Sequence, residues 1–479
     1  MKETTIRADI LTKYPPVNEA KLDALLEKEI VAARVKFVVL DDDPTGVQTV
    51  HNVSVYTDWT VESLRQGFAE ANRLFYVLTN SRGFTAAQTT AAHREIARNV
   101  AQVSRETGIP CMLMSRSDST LRGHYPLETE VLRQAGEENG APAPDGEILC
   151  FFFKEGGRYT IDNVHYVRCG DKLVPTGNTE FARDRTFGYR SSDLRDYVEE
   201  KTAGKYPADK VVCIRLDALR GMDIDSITDR LLAVRDFNKV VVNAVDYCDV
   251  KVFSVALYRA MARGKRFLCR TAAGLVKVMG GISDRPLLAR EDMIVRETDN
   301  GGIVVVGSHT QKTTAQLQAL LTLPAVVPVA FDSDKVLAGD EAFFAEADRC
   351  AAEAEKIIRA GSTAVCYTNR RLLTVENDRP EDALLRAVKI SEGVCSLVAR
   401  LKVPPAFVVA KGGITASDVG TKALRVKRAN VMGQIRPGIP VWQTGPESAF
   451  PQTPFVIFPG NVGDTETLKE AVEILQGRR

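Results

Sequence analysis

The segment VKFVVLDDDPTGVQT carries an apolar run straight into three consecutive carboxylates, Asp41, Asp42 and Asp43, and then into a Pro-Gly turn. Like charges in adjacent positions repel, so at least one of the three should have a raised pKa. A parallel strand that ends in them sets them where open α/β sheets bind ligands. There they could take or orient the proton of a bound hydroxyl. The plainer alternative is an acidic turn capping a helix, since Asp, Pro, Thr and Gly all favour turns.

A second cluster follows the apolar residues Pro110 to Met114 in MLMSRSDSTLRGHYPLE, and offers Arg116, Asp118, Ser119, Thr120 and Arg122. Two guanidiniums so close in sequence can clamp a carboxylate or phosphate bidentately, while Asp118 and Ser119 can hold sugar hydroxyls. The ordinary alternative is an internal Arg–Asp pair that closes the loop. A third apolar run, YVLTNSRGFT, ends in Asn80, Ser81 and Arg82. The three strand ends are expected to meet in one polar pocket.

In the C-terminal half the chemistry changes to glycines and hydroxyls. VVVGSHTQ places Gly307 and Ser308 after a strand, with Ser308 and Gln311 spaced as a capping box. AFVVAKGGITASDV repeats the device with Lys411, Gly412 and Gly413, and a second capping box from Thr415 to Asp418; FPGNVGDTET adds Gly460 and Gly463. Backbone N–H groups of a glycine turn at a helix start can bind an anion. Glycine turns are also common connectors, but three of them in one domain favour a nucleotide phosphate. The chain has no G-x-x-x-x-G-K-[ST], G-x-G-x-x-G or G-x-S-x-G motif and no protein-kinase H-R-D or D-F-G set. Of the five histidines, His124 and His309 adjoin these clusters, and His93, in AAHREIARNV, is expected on a helix surface.

The elements that must carry these residues are short apolar runs alternating with amphipathic stretches, which predicts α/β architecture with mostly parallel sheets. At roughly 100–200 residues per domain, 479 residues imply more than one. The reading is two α/β domains: an N-terminal helical extension over 1–35 packed outside the first sheet, a first domain over 36–285, a linker over 286–300 and a second domain over 301–479. With 63 Lys plus Arg against 62 Asp plus Glu there is no overall basic field to attract nucleic acid or anionic lipid. Nine scattered cysteines without a C-x-x-C pair argue against a disulfide framework or a metal knuckle. A charged N-terminus without an apolar stretch, and the lack of any apolar run near the length of about 20 residues that spans a membrane, point to the cytoplasm. Assembly into a homo-oligomer is left open.

Taken together these blocks resemble the four-carbon acid sugar kinase family, formerly a domain of unknown function. The family's D-D-x-T-G matches Asp42 to Gly46, and its K-x-D-S-T-L-R-G block is met by Arg116 to Gly123. G-R-Y-T stands at Gly157 to Thr160, G-S-x-x-x-x-T-x-x-Q at Gly307, Ser308, Thr313 and Gln316, and G-G-x-T-A at Gly412 to Ala416. The resemblance implies an N-terminal domain holding threonate, erythronate or a 3-oxo-tetronate, a C-terminal domain binding ATP with Mg²⁺, and a 4-phosphate product. The expected sugar-acid contacts are Asp42, Asp43, Arg82, Arg116, Asp118, Ser119 and Arg122, with Asp43 as the catalytic base. The expected ATP contacts are Ser308, Gly412, Gly413, Ile414, Thr415, Gly460 and Gly463. Arg116 and Ser117 depart from the family's usual Lys and aliphatic residue, which reshapes the pocket. A competing reading takes Asp41, Asp43 and Thr45 as the D-x-D-x-T of a haloacid-dehalogenase-like phosphatase with Asp41 as nucleophile, but it leaves DSTLRG and GGITA without a role. A non-catalytic nucleotide-binding regulator would leave the three polar strand ends unused.

Overall fold

The computed structural model describes residues 4–371, 373, 375, 380–460 and 462–477. It divides into two compact units, Met1–Gly46 with Asp58–Asp284 and Val47–Thr57 with Arg285–Arg479. The short stretch after the acidic turn thus belongs to the second unit, where Val53–Tyr56 pairs with Arg428–Arg436. The segment read as a linker also has a place there. Leu288 and Met293 lie in that unit's core, and the Leu288 N–H donates to the Gln434 carbonyl at 2.8 Å.

In the first unit a parallel sheet runs in the order Val212–Ile214, Asn238–Val242, Gly146–Cys150, Phe267–Thr271, Cys111–Arg116, Lys36–Asp41 and Leu74–Leu78. Lys36–Asp41 is buried at every position, as expected of a parallel strand covered on both faces. The N-terminal helix Glu19–Ala32 starts at Asn18, whose side chain accepts from the Lys21 N–H at 3.0 Å. It is tied to the helix Tyr247–Ala262 by Lys251–Asp23 at 2.6 Å and Arg259–Glu29 at 2.9 Å. The helix Ala86–Thr107 opens on a capping box between Thr85 and Gln88 and ends at Gly108 in the left-handed region. His93 on this helix is a correction to the sequence reading, for it is 1% exposed. It lies on the inward face with Thr89, Ala92, Ile96 and Ala97, whose three- and four-residue spacing marks the buried stripe. A small antiparallel sheet of Ile6–Arg7, Lys172–Pro175, Val164–Cys169 and Arg158–Ile161 was also not anticipated.

The second unit orders its strands Val53–Tyr56, Arg428–Arg436, Ile439–Thr444, Pro454–Phe458, Val408–Lys411, Ile303–Val306, Thr363–Thr368 and Val326–Phe331. The first pairings are antiparallel and those from Pro454–Phe458 onward are parallel. The hairpin of Arg428–Arg436 and Ile439–Thr444, with Gly438 at φ 77°, was missed because Asn430, Gly433, Gln434 and Pro440 interrupt the apolar pattern. Both expected capping boxes shift. Thr310, not Ser308, caps Gln311–Leu320 by accepting from the Thr313 N–H at 3.2 Å, because the chain reaches the helix two residues later. Thr415 lies inside Gly413–Asp418, which begins directly after Gly412. No helix of the described residues is long and apolar enough to cross a membrane.

Within the first sheet Glu147 and Lys239 face each other on neighbouring strands, fully buried, with oxygen and nitrogen 2.6 Å apart. The ammonium also lies 3.8 Å from the Phe237 ring centroid and 4.0 Å from that of Tyr206. Removing one partner of such a pair leaves an uncompensated buried charge, typically a loss of about 3–5 kcal/mol. Lys239→Met should therefore lower the stability of the first unit by that order in urea unfolding, and adding Glu147→Leu should recover most of the loss. Equal stability of the single variant and wild type would show that the pair contributes nothing.

Candidate active site

The strands Leu74–Leu78, Lys36–Asp41 and Cys111–Arg116 are neighbours in register, so their carboxyl ends bring the three polar segments together. Asp41 is the last residue of its strand rather than part of the turn, and it is 1% exposed. Its carboxylate accepts from Arg116 Nη1 at 3.2 Å. A Cβ at position 46 would lie 1.9 Å from the same carboxylate, so only glycine fits above it. Burial above all, then the neighbouring Asp42 and Asp43, outweigh Arg116 and raise the Asp41 pKa to about 8. A neutral, covered acid is a supporting group, and this geometry gives no support to Asp41 as a phosphatase nucleophile.

Asn80, at φ 55°, turns the chain so that Arg82 reaches back over the acidic turn. Arg82 donates to both oxygens of Asp42, at 2.7 and 3.2 Å, and to Asp43 Oδ2 at 3.1 Å. Burial raises the pKa of Asp42 in spite of Arg82, and Glu128 adds to the rise. For Asp43 burial also acts upward, but Arg82 and the hydrogen bonds from the Thr45 hydroxyl and N–H outweigh it, so the pKa falls. Asp43 is ionised, and its side chain is 19% exposed against 3% for Asp42. The acidic triplet thus separates into two shielded carboxyls and an open, charged one.

The second cluster closes as a loop over the end of Cys111–Arg116. Asp118 accepts from the Thr120 hydroxyl and from Arg122 Nε at 2.8 Å, and Arg82 and Arg122 together overcome burial to hold it well below the usual carboxylate range. The internal Arg–Asp pair that the sequence allowed is therefore present, and both partners remain partly open at 25% and 12% side-chain exposure. Arg116 is only 4% exposed and engages Asp41. Ser119 is close to fully buried, and its carbonyl is held by His165 Nε2 at 2.8 Å. Tyr189 and Tyr197 donate to the carbonyls of Thr120 and Leu121 at 2.7 and 2.9 Å. His124 contacts the Phe84 carbonyl at 2.9 Å through Nε2.

Beneath these residues lies a buried network that the sequence reading missed. Glu128 accepts from the Ser81 hydroxyl at 2.7 Å, the Ser115 hydroxyl at 3.2 Å and Arg270 Nη1, with His93 Nε2 at 3.9 Å. Burial would raise the Glu128 pKa, but Arg270, His93 and these donors bring it down to about 2. Gly123, at φ 118°, packs against Arg270, where a Cβ would approach Nη2 to 2.6 Å. Nothing in the local sequence marked Arg270, which stands in the middle of an apolar strand, or Glu128, which reads as an ordinary helix residue.

In the second unit Val306 and Lys411 are register partners, so the turns that follow their strands lie side by side. A Cβ at Gly307 would come within 2.8 Å of the Thr415 hydroxyl, and one at Gly412, φ 118°, would lie 3.8 Å from Ser308 Cβ. The Gly412 N–H itself donates to the Phe458 carbonyl at 2.8 Å, which leaves the first-turn N–H groups of Gly413, Ile414 and Thr415. The Ile414 side chain is 76% exposed. Lys411 Nζ holds the carbonyls of Pro459 and Gly460 at 2.7 and 3.1 Å, and space above Gly460 is open. Gly463, φ 77°, is pressed against Thr467, so it shapes the turn. Gln316 bonds the carbonyls of Val462 and Asp464 at 3.2 and 2.6 Å, which joins that turn to the helix Gln311–Leu320. Arg370, also missed from sequence, donates to the Ser308 carbonyl at 2.5 Å and the Thr314 hydroxyl at 2.9 Å. His309 is 3.4 Å from the Thr368 hydroxyl.

Two family models match the chain: a sugar-binding N-terminal domain over residues 37–279 and a nucleotide-binding C-terminal domain over residues 303–468. Among solved structures, a Haemophilus influenzae protein of a domain-of-unknown-function family aligns at 15% identity and TM-score 0.59, over 92% of this chain and 99% of its own. A putative tRNA synthase from Salmonella typhimurium aligns at 16% identity and TM-score 0.63, over 93% of this chain and 99% of its own. No curated protein matches the sequence. At these identities the structural likeness establishes the fold.

Burial, aided by Lys312, pulls the Lys411 ammonium down to about 7. A neutral amine has two N–H bonds, which match its two carbonyl acceptors. Since the ordinary lysine value is 10.5, the unfolded chain binds the extra proton between the two values, and stability rises with pH across that window. Lys411→Met removes the titration. From about pH 7.5 to about pH 9.5 wild type should gain on the variant by up to about 1.4 kcal/mol per pH unit in urea unfolding. A constant difference would mean that Lys411 stays charged in the fold.

Proposed function

The chain belongs to the four-carbon acid sugar kinase family, and on that footing we propose that it phosphorylates the 4-hydroxyl of a four-carbon sugar acid, threonate, erythronate or a 3-oxo-tetronate, with ATP as donor. The observation that carries this reading is the divergence of the acidic triplet. Asp41 and Asp42 are shielded with raised pKa values, while Asp43 is ionised, reachable and fixed by Thr45 and Arg82. A fixed, ionised carboxylate beside partly open arginines suits an acceptor site that must orient a hydroxyl and tolerate an anion.

In this reading the 4-hydroxyl oxygen bonds to the γ-phosphorus as the bond to the departing ADP oxygen breaks, and Asp43 takes the hydroxyl proton. Arg82 stays on Asp42 and Asp43 and keeps the base oriented. Asp118 and Ser119 face the remaining hydroxyls. The donor's phosphates lie against the N–H groups of Gly413 to Thr415, the Ser308 and Thr415 hydroxyls and the open side of Gly460, with Ile414 as an exposed apolar surface beside them. Among the described residues no group of three or more His, Cys, Asp or Glu is arranged for a metal. The hydroxyl-rich turns fit Mg²⁺ that arrives with the nucleotide and keeps phosphate and water ligands. Such an ion neutralises charge on the transferred phosphoryl group.

Wild type with ATP, Mg²⁺ and a panel of both enantiomers of threonate and erythronate, with their 3-oxo forms, should release ADP with at least one acid; ADP at background with all of them would sink the reading. Asp43→Asn preserves shape and removes the base, so kcat should fall about 10²–10⁴-fold while the affinity for the acid is largely kept. Unchanged kcat would exclude Asp43 as base. Thr415→Val should raise KM for ATP and leave KM for the acid near its wild-type value, whereas a shift confined to the acid would misplace the nucleotide.

A further inference from the structure

The motif Gly157 to Thr160 has no part in the site as described, yet its arginine stands beside it. Arg158 opens the strand Arg158–Ile161, in a hairpin that leaves the carboxyl end of Gly146–Cys150, the sheet end that also carries the acidic turn. Residues two apart on a strand share a face. Thr160, on the face of Arg158, bonds His165 Nδ1 at 2.9 Å, and His165 Nε2 holds the Ser119 carbonyl at 2.8 Å. That face therefore looks onto the Asp118–Arg122 loop. Arg158 and Arg122 lie against one aromatic ring, their guanidinium carbons 5.7 and 5.0 Å from the Phe181 centroid.

The arginines of the site differ in what holds them. Arg82 is bound to Asp42 and Asp43, Arg116 to Asp41 and Arg122 to Asp118. Among the described residues Arg158 has no ion-pair partner: its Nη1 donates to the Gly156 carbonyl, and its Nε is buried without an acceptor. Its environment lowers rather than raises its pKa, burial being the largest cause. A half-buried guanidinium without a counter-ion is short of partners, and its planar fork matches a carboxylate.

We propose that Arg158 is the substrate's carboxylate anchor, taking that group beside Arg122 on the Phe181 platform and so setting the direction in which a four-carbon acid lies, with its far hydroxyl toward Asp43. Polar contacts link the two ends: Asp43 to Arg82, and Asp118 to Arg122, with Arg82 and Arg158 both acting electrostatically on Asp118. This rests on the sugar-acid reading and adds the feature by which acids are told from neutral polyols.

The test compares each C4 acid of the panel with its primary amide, which keeps the shape and loses the charge. Calorimetric binding without nucleotide, and ADP release with it, are measured for wild type, Arg158→Gln and Arg158→Lys, with melting curves to confirm folding. Wild type should bind its preferred acid over the amide, and Arg158→Gln should weaken the acid on the order of 10²-fold while changing the amide less than about threefold and leaving KM for ATP alone. Arg158→Lys should fall between, since it keeps charge without the fork. Acid and amide weakened alike, acid affinity unchanged, or a wild type that binds none of the panel would overturn the inference. Acid-selective, Arg158-dependent binding without ADP release would overturn the kinase reading and leave the anchor standing.

Discussion

Arg82 is the group on which the first site depends. Three consecutive carboxylates at a buried strand end cannot all ionise without a cation among them. Arg82 supplies it with a two-toothed grip on Asp42 and a third bond to Asp43. Its reach comes from Asn80 in the left-handed region, which folds the chain back so that the Arg82 N–H also meets the Asp42 carbonyl at 3.3 Å. Because one guanidinium serves two acids while Arg116 serves the third from below, the three carboxyls end in different states. The asymmetry leaves Asp43 charged and open beside two shielded carboxyls whose pKa values are raised.

The same arrangement needs a rigid floor, which Glu128 and Arg270 provide. Their pair is nearly free of solvent, and Glu128 also receives hydroxyls from Ser81 and Ser115, so both neighbouring strand ends are fixed to one helix. In a low-dielectric interior a network in which one carboxylate takes three donors is stiff. The second unit solves a different problem with backbone rather than charge. Its glycine turns sit side by side because parallel strands in register must release their loops at one edge, and Gln316 and Lys411 hold those loops by their carbonyls. Among the described residues the N–H groups at Gly413 to Thr415 have no backbone partner at this helix start.

Much of this was written in the sequence. Apolar runs ending in Asp, Arg or Gly reveal parallel strands because burial on both faces demands them, and the motifs at Asp42, Asp118, Ser308 and Gly412 stand out because turns next to buried strands rarely collect such residues. Local pattern therefore gave the α/β class, the two halves with their different chemistry, and the residues to suspect. It misjudged His93, whose helix turns its charged residues outward and this ring inward, and it misplaced both helix caps, since Ser308 and Thr310 are equally able to cap and only the path of the chain selects between them.

What each suspected residue does was decided by tertiary contact. Arg116 and Arg122 read alike in sequence, but one is buried against Asp41 and the other opens onto the Asp118 loop. The ionisation order of Asp41, Asp42 and Asp43 is invisible in three identical letters, because it is set by burial and by Arg82, a residue about 40 positions further along the chain. Arg270 and Arg158 were beyond local reading for the same reason. A side chain's partners come from strands distant in sequence, and a charge acquires its meaning from what the fold places beside it or leaves away from it.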